Sequence, residues 1–491
     1  MSARELVGSV ATVLGVVVVA VALATIAQLS AGLGALAGAG VAAAAIALLF
    51  ALRPIEGLTA FAIAILLSDS VEHWTGASLR YLDEAGVAAL VVAALAVHRR
   101  RLALPALGAA ELGLGILLAA AVASSLLEAV PAAVWLPGLA LLGKGFAFFY
   151  LVAALRLDVD DLRRVSATVL VVGLAIALVG LFQLLARDVA DELLRLPATG
   201  RPRAGIDVIG SVFTHPALFG WLTAFLSLFL YARFAVLHRW WSLPLALALN
   251  GGTLLSGRRT PVVGVVAGLA VGALRQVTGG GARLRAWALV GAALVVVLAV
   301  SVPLLGDFYR TTLDRYGAQV EVVSEVFADE PDPERLGGLQ PRVALYAGSL
   351  AIARDHLPLG AGVGRYASHM SREEYSPVYA EYGLDQTYGL RERNPIAVTD
   401  TFWPMILGEA GVLGLLGALL FFAAVGLRLW RAAAADGDPE IHAFALGALL
   451  VFVEALVRSL TSAVFVAPPI AYFAFGAAGL ALAIDRSRRS A

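Results

Sequence analysis

Cysteine is absent from this chain of 491 residues, which excludes disulfide bonds, a thiolate nucleophile and any cysteine metal site. Lysine is nearly absent as well, because Lys144 is the one lysine in the sequence. Only 15% of the residues are charged, and acidic and basic residues cancel to a formal net charge of +0. Bulk charge therefore favours neither a nucleic acid nor an acidic partner, and we expect no nucleic-acid binding.

Hydrophobic residues are abundant instead: they make up 60% of the chain, and the mean hydropathy is +0.85. One soluble core could not bury so much apolar surface. Runs such as "WALVGAALVVVLAVSVPLL" are nearly uncharged and have no strand-like alternation, and at about 20 residues they suit membrane-spanning helices. We predict an all-α polytopic membrane protein with about 12 to 14 transmembrane helices, the short third segment running from Gly57 to Leu67.

The N-terminal apolar run, "LVGSVATVLGVVVVAVALATIA", is too long for a signal peptide and is followed at once by a second run. We interpret it as the first membrane span. Three parts are predicted along the chain: an N-terminal helix bundle (1–304), an extracytoplasmic loop with amphipathic and short helices (305–400), and C-terminal membrane helices (401–491).

Arginine-rich loops alternate with apolar segments, so that they share one side of the membrane. By the positive-inside rule that side is cytoplasmic, which puts both termini inside and the long loop outside. The basic loops are at 98–101, 156–164, 233–239, 283–285, 428–431 and 485–489. We expect a multi-pass protein of the bacterial cytoplasmic membrane.

The glycine-rich sequence "GAGVGR" at 360–365 does not indicate a nucleotide site, because it follows a predicted helix and Pro358 instead of a buried strand. Its glycines favour a tight turn near the membrane surface. In the preceding loop, "DFYRTTLDRYGAQVEVVSEVFADE" (307–330) has apolar residues at spacings of three and four, which predicts an amphipathic helix.

Four motifs, in order along the chain, resemble a family of membrane glycosyltransferases. They are "RAGIDVIGSVFTHPALFGWL" from Arg203, "SGRRTP" at 256–261, "RVALYAGSLAIARDHLPLGAGVGRY" at 342–366, and "VTDTFWPMILGEAGVLGLLGAL" at 398–419. The ordered set resembles the superfamily of bacterial O-antigen ligases and Wzy-type polysaccharide polymerases, which have a GT-C-like membrane fold. Thr260 stands where that family has a glycine.

This resemblance implies glycosyl transfer on the outer membrane face. The outward loops contain no D-x-D pair, so we expect no metal, and we expect no other cofactor. The donor would be an oligosaccharide linked to a polyprenyl diphosphate, and the acceptor a second glycan. Polymerisation of lipid-linked repeat units is favoured, and an O-antigen-type ligase stays open as an alternative. A lipid or glycan flippase is the alternative of another class, although the sequence has no internal repeat typical of transporters.

Four arginines are the predicted ligands of the donor diphosphate, because a guanidinium binds phosphate oxygens in pairs and keeps its charge. They are Arg203, Arg258, Arg259 and Arg342. Arg258 and Arg259 lie in a very short outward loop, against the positive-inside trend; snorkelling toward lipid headgroups is the simpler explanation.

Asp400 is the predicted catalytic base. Ligases of this family often have a histidine just before the helix with the Glu-x-Gly-x-x-Gly pattern, and Asp400 stands there in this chain. An aspartate has a low reference pKa, near 4, so burial or a neighbouring carboxylate would have to raise it. Capping of the next helix is the simpler role for this residue.

Other residues are predicted to support the site: Lys144, Glu409, His215 and Arg365. Glu409 lies within an apolar helix and should be neutral or paired with an arginine. Glu454 and Arg458, four residues apart, are predicted to pair with each other. Loop aromatics, namely Tyr366, Tyr375, Tyr379, Tyr382, Tyr388 and Trp403, fit either sugar stacking or an interfacial belt.

Overall fold

The protein is all-helical in this computed structural model. The structure describes residues 8–18, 35–99, 102–103, 108–197, 207–278, 287–292, 294–295, 340–434 and 437–489. Within these ranges no β-strand occurs beyond one isolated bridge between Arg391 and Asn394. The predicted fold class is confirmed.

Seventeen helices have bounds in the described part of the chain. In chain order they are α1 (Gly8–Val18), α2 (Ala35–Leu52), α3 (Pro54–Thr75), α4 (Leu82–Val97), α5 (Ala109–Leu127), α6 (Ala132–Ala154), α7 (Val159–Leu185), α8 (Arg187–Leu194), α9 (Pro216–Leu237), α10 (Ser242–Leu255), α11 (Arg259–Thr278), α12 (Pro341–Asp355), α13 (His369–Glu373), α14 (Val378–Glu381), α15 (Trp403–Ala432), α16 (Pro439–Ser459) and α17 (Ile470–Arg489).

Eight of the described helices are long and apolar enough to cross a membrane, namely α3, α5, α6, α7, α9, α15, α16 and α17. The predicted third span, 57–67, is longer in the structure, because α3 also includes the polar residues Glu56, Asp69 and Glu72 near its ends. The total of about 12 to 14 spans stays a prediction. Several predicted segments, including most of the first span and the amphipathic stretch 307–330, lie outside the described residues.

The described basic loops lie at one end of the helix bundle, here called the arginine-rich end; residues 100–101 and the loop 283–285 lie outside the described residues. Arg164 reaches Glu56, Arg239 reaches Glu440, and Arg428 holds Glu111 with two hydrogen bonds of 2.9 and 2.8 Å. The predicted grouping of these loops on one side is therefore present in the described part of the chain, although the contacts do not identify the side as cytoplasmic.

The opposite end, here called the site end, holds the described part of the long loop, 340–400. There α12, α13, α14 and a short 3-10 helix (Leu384–Gln386) lie against the ends of the spans. Tyr346 of α12 donates to the carbonyl of Leu460 (2.9 Å), and His356 contacts Glu128 (2.8 Å).

Small residues let α5 and α15 approach closely. A methyl group added at Gly113 would lie 2.6 Å from the Phe421 nitrogen, and one at Gly417 would lie 2.6 Å from the Leu117 nitrogen. In lipid there is no hydrophobic driving force that brings helices together, so close packing at glycines stabilises their association instead. Beside them Phe422 packs on Phe465, with ring centroids 4.3 Å apart, which joins α15 to the segment before α17.

Candidate functional site

The glycine-rich loop 360–366 is attached to a kink in α15. Gly411 has φ +70°, so the helix is interrupted there, and a side chain at this position would collide with the backbone of Leu359. The gap is filled by the loop: the amide of Ala361 donates to Gly408 O (2.8 Å) and that of Gly362 to Glu409 O (3.1 Å). Glycine adopts a positive φ without steric cost, which explains why Gly411 is the glycine of the Glu-x-Gly pattern.

Glu409 completes this junction with its side chain. Its Oε1 accepts from the amides of Gly364 (2.8 Å) and Tyr366 (3.1 Å), and the residue is only 5% exposed. We predicted a neutral carboxyl or an arginine partner; in the described part of the chain its partners are backbone N–H groups and no arginine side chain, and the neutral form stays a prediction. Donors of this kind stabilise a buried carboxylate, which gives Glu409 a structural role at the base of the loop.

Stacked tyrosines hold the same loop from the outside. Tyr366 stacks on Tyr379 with ring centroids 5.8 Å apart, and Tyr379 on Tyr375 at 5.2 Å. Tyr366 and Tyr379 are fully buried, so neither can contact a sugar; they are core residues of the site end. Tyr388, at 67% exposed, is still able to stack on a ligand.

Asp400 and Arg342 meet at the site end although 58 residues separate them. Arg342 is the second residue of α12, and Asp400 lies just before α15; their Nη2 and Oδ2 atoms are 3.1 Å apart. Burial raises the pKa of Asp400 above its ordinary value, while Arg342 and Arg258 act to lower it, and burial prevails. The predicted base therefore has the direction of pKa shift that a general base needs.

Arg258 lies in the turn between α10 and α11 that the motif "SGRRTP" predicts. Gly257 has φ +63° in that turn, and the Arg258 amide donates to Ser256 Oγ (3.4 Å). Arg258 Nη2 is 3.1 Å from Nε2 of His215, the residue that caps α9. Since Arg258 also influences the pKa of Asp400, the structure brings Arg258, His215, Arg342 and Asp400 to one surface.

A polar cleft continues from His215 across the site end. Thr214 donates to the Asp69 carboxylate, and both line the cleft. The remaining polar lining comes from Ser68, Glu72, Arg80 and Asp83. At its far rim Arg80 pairs with Glu373 of α13 and lies 3.3 Å from His369. Burial lowers the pKa of His369, and so do the nearby charges of Arg80 and Arg372.

Lys144 lies beneath this cleft, within the bundle. Its Nζ is 2.5 Å from Asp83 Oδ2 and 2.6 Å from Glu84 Oε1, and Tyr472 donates to the same Asp83 oxygen (3.1 Å). With 8% of its side chain exposed, Lys144 does not snorkel to the surface. It reaches the cleft only through Asp83, so direct contact with a diphosphate would require this cluster to open. The sequence contained one signal for the cluster that we missed: two adjacent carboxylates at the start of an apolar helix.

The remaining predicted residues are spread over the site end. Arg259 is the first residue of α11, and Arg365 is half-buried in the loop 360–366. Arg203 lies outside the described residues. Glu454 and Arg458 form the predicted pair (3.8 Å), and Arg458 also donates to the carbonyl of Ala217 (3.4 Å) next to His215.

Metal ligands are not grouped in the described ranges, where no set of three or more His, Cys, Asp and Glu residues could hold an ion. The cations of this surface are guanidinium groups, which bind anions. The surface is thus suited to hold a phosphate or another anion beside a carboxylate of raised pKa.

Comparison with known proteins adds no relative: the sequence matches no family model and no curated protein.

Proposed function

We propose that this protein is a membrane glycosyltransferase that polymerises polyprenyl-diphosphate-linked oligosaccharide repeat units on the outer face of the bacterial cytoplasmic membrane. The observation that supports the proposal most is the convergence of Arg258, His215, Arg342 and Asp400 on one surface, from four distant parts of the chain. Arg258, Arg342 and Asp400 are three of the residues that the motif resemblance selects.

In the proposed reaction Asp400 accepts the proton of an acceptor hydroxyl. The hydroxyl oxygen bonds to the reducing-end carbon of the donor sugar as the bond from that carbon to the diphosphate oxygen breaks. The electron pair leaves with the polyprenyl diphosphate, whose charge the arginines stabilise. Arg342 would exchange its present partner, Asp400, for a phosphate oxygen, which frees the carboxylate as the donor binds.

The experiment that tests this function compares surface glycan and lipid-linked intermediates on gels. A deletion strain carries the wild-type gene or the variant Asp400→Asn. A polymerase predicts single-repeat products in the variant, whereas full-length glycan retained on the carrier lipid would indicate a ligase. Unchanged glycan and intermediates in the variant would contradict the proposal.

A transporter is the second candidate, favoured by the buried cluster of Asp83, Glu84 and Lys144. Ionisable groups inside a membrane protein commonly mark an ion or substrate pathway. Under this alternative, lipid-linked repeat units would accumulate on the inner membrane face in the deletion strain. Accumulation of unprocessed units on the outer face would instead support a transferase.

A further inference from the structure

An apolar cavity lies within the bundle, with a charged rim at the arginine-rich end and Tyr472, the residue that donates to Asp83, in its lining. It opens between α3, α6, α7, α9, α16 and α17. Its walls are almost entirely hydrocarbon; Leu58, Phe148, Leu170, Phe225, Phe444 and Leu480 are representative. The helix α7 forms the outer wall and is mostly lipid-facing, with only 28% of its apolar window buried. The cavity is thus next to the bilayer.

The rim of this cavity at the arginine-rich end is polar and positively charged. Arg233 and Arg239 share one carboxylate, that of Glu440, at 3.4 and 3.2 Å. The third rim arginine, Arg163, is paired with Asp160 (3.0 Å). Three arginines and two carboxylates, those of Asp160 and Glu440, together leave one positive charge in excess. The Nε atom of Arg233 is buried and has no hydrogen-bond partner in the described part of the chain.

We propose that this cavity binds an anionic phospholipid, with its acyl chains between the six helices and its phosphate on Arg233. Acyl chains match the apolar walls, and the phosphate would supply the acceptor that Arg233 Nε lacks and balance the excess charge. The donor lipid is a different molecule, because its diphosphate is assigned to Arg258 and Arg342 at the opposite end of the bundle.

The binding test uses the full-length protein in detergent, with phosphatidylglycerol and phosphatidylcholine of identical acyl chains as probes. Native mass spectrometry measures how many lipids stay bound at each lipid concentration. We expect phosphatidylglycerol to bind about tenfold more tightly, because the choline ammonium of phosphatidylcholine cancels the phosphate charge that the positively charged rim attracts. Arg233→Gln should remove this preference. Glu440→Gln should increase it, because the rim then loses one of its two carboxylates.

A second pair of variants tests the acyl-chain part of the site. Ala62 lines the cavity and is partly exposed to it, so Ala62→Phe should reduce binding of both lipids severalfold. The matched controls are Ala119→Phe on the exposed face of α5 and Arg431→Gln at the exposed end of α15, and both should bind like the wild type.

Three results would overturn this proposal. Equal affinity for the two lipids in the wild type would mean ordinary annular lipid, and so would an unchanged preference in Arg233→Gln. Displacement of phosphatidylglycerol by a lower concentration of polyprenyl phosphate would assign the cavity to the carrier lipid. The opposite shifts expected for Arg233→Gln and Glu440→Gln keep the test independent of any single variant's stability.

Discussion

Asp400 and Arg258 would serve different steps of the proposed transfer. Asp400→Asn removes the proton acceptor but keeps the shape of the side chain, so we expect kcat to fall by about 10²–10⁴-fold with KM for the donor little changed. Arg258→Ala removes a diphosphate ligand and should mainly raise KM. Assay of purified protein with a lipid-linked donor separates the two effects. An equal loss of kcat and unchanged KM in both variants would contradict these assignments.

Arg342 should set the pH at which Asp400 becomes active. A carboxylate acts as a base only when deprotonated, so activity falls as pH decreases through its pKa. Burial raises this pKa, and the charge of Arg342 opposes the shift. Removing that charge in Arg342→Ala should therefore move the acidic limb of the kcat/KM profile to higher pH.

The control for this pH shift is Arg342→Lys, which keeps the positive charge and should keep the limb near its wild-type position. An acidic limb in the same place for Arg342→Ala and the wild type would show that the pair is not formed in the active protein.

At the scale of secondary structure, the kink of α15 depends on Gly411. Alanine there would have to adopt φ near +70° and would meet the Leu359 backbone. We expect Gly411→Ala to cost about 2–4 kcal/mol of unfolding free energy, from strain and steric overlap together. Gly143→Ala on α6 is the control, because nothing lies within 4 Å of its added methyl group. Thermal unfolding in detergent, followed by tryptophan fluorescence, measures the difference.

Glu409 should matter for the attachment of the loop more than for catalysis. Glu409→Ala leaves the buried amides of Gly364 and Tyr366 without an acceptor, at about 1–3 kcal/mol each. Glu409→Gln keeps one side-chain oxygen and should retain most of the stability and activity. If Glu409→Gln lost activity while its melting temperature stayed at the wild-type value, Glu409 would have a chemical role that its contacts do not indicate.

For the whole molecule, the absence of cysteine gives a direct test of orientation. Single cysteines can be placed at Glu392 at the site end and at Arg431 at the arginine-rich end, both exposed positions. In intact cells, a membrane-impermeant maleimide should label Glu392→Cys, and Arg431→Cys should react only after permeabilisation. The reverse pattern would place the proposed site in the cytoplasm, where no lipid-linked glycan is polymerised.

The sequence predicts the membrane helices well, because an uncharged run of about 20 residues has few alternatives to a spanning helix. It predicts the positions of Arg258, Arg342 and Asp400 near helix ends, but not that they share a surface, since the contacts join residues far apart in the chain. The partners of Glu409 could not be predicted either, because every residue except proline has a backbone amide and no side-chain pattern marks the ones used. The burial of Lys144 could not be predicted, because it depends on Asp83 and Glu84, which lie about 60 residues earlier in the chain.

The junction of loop 360–366 with α15 also has a mechanical consequence. Amide hydrogen bonds join the loop to α15, and the buried rings of Tyr366 and Tyr379 pack against it. The loop therefore cannot move as a lid without bending α15. We therefore expect the site end to act as a fixed rim. A lipid-linked substrate would then reach the site by lateral diffusion in the plane of the bilayer. The rate-limiting step would be the exchange of substrate and product lipids between the helices, not the opening of a gate.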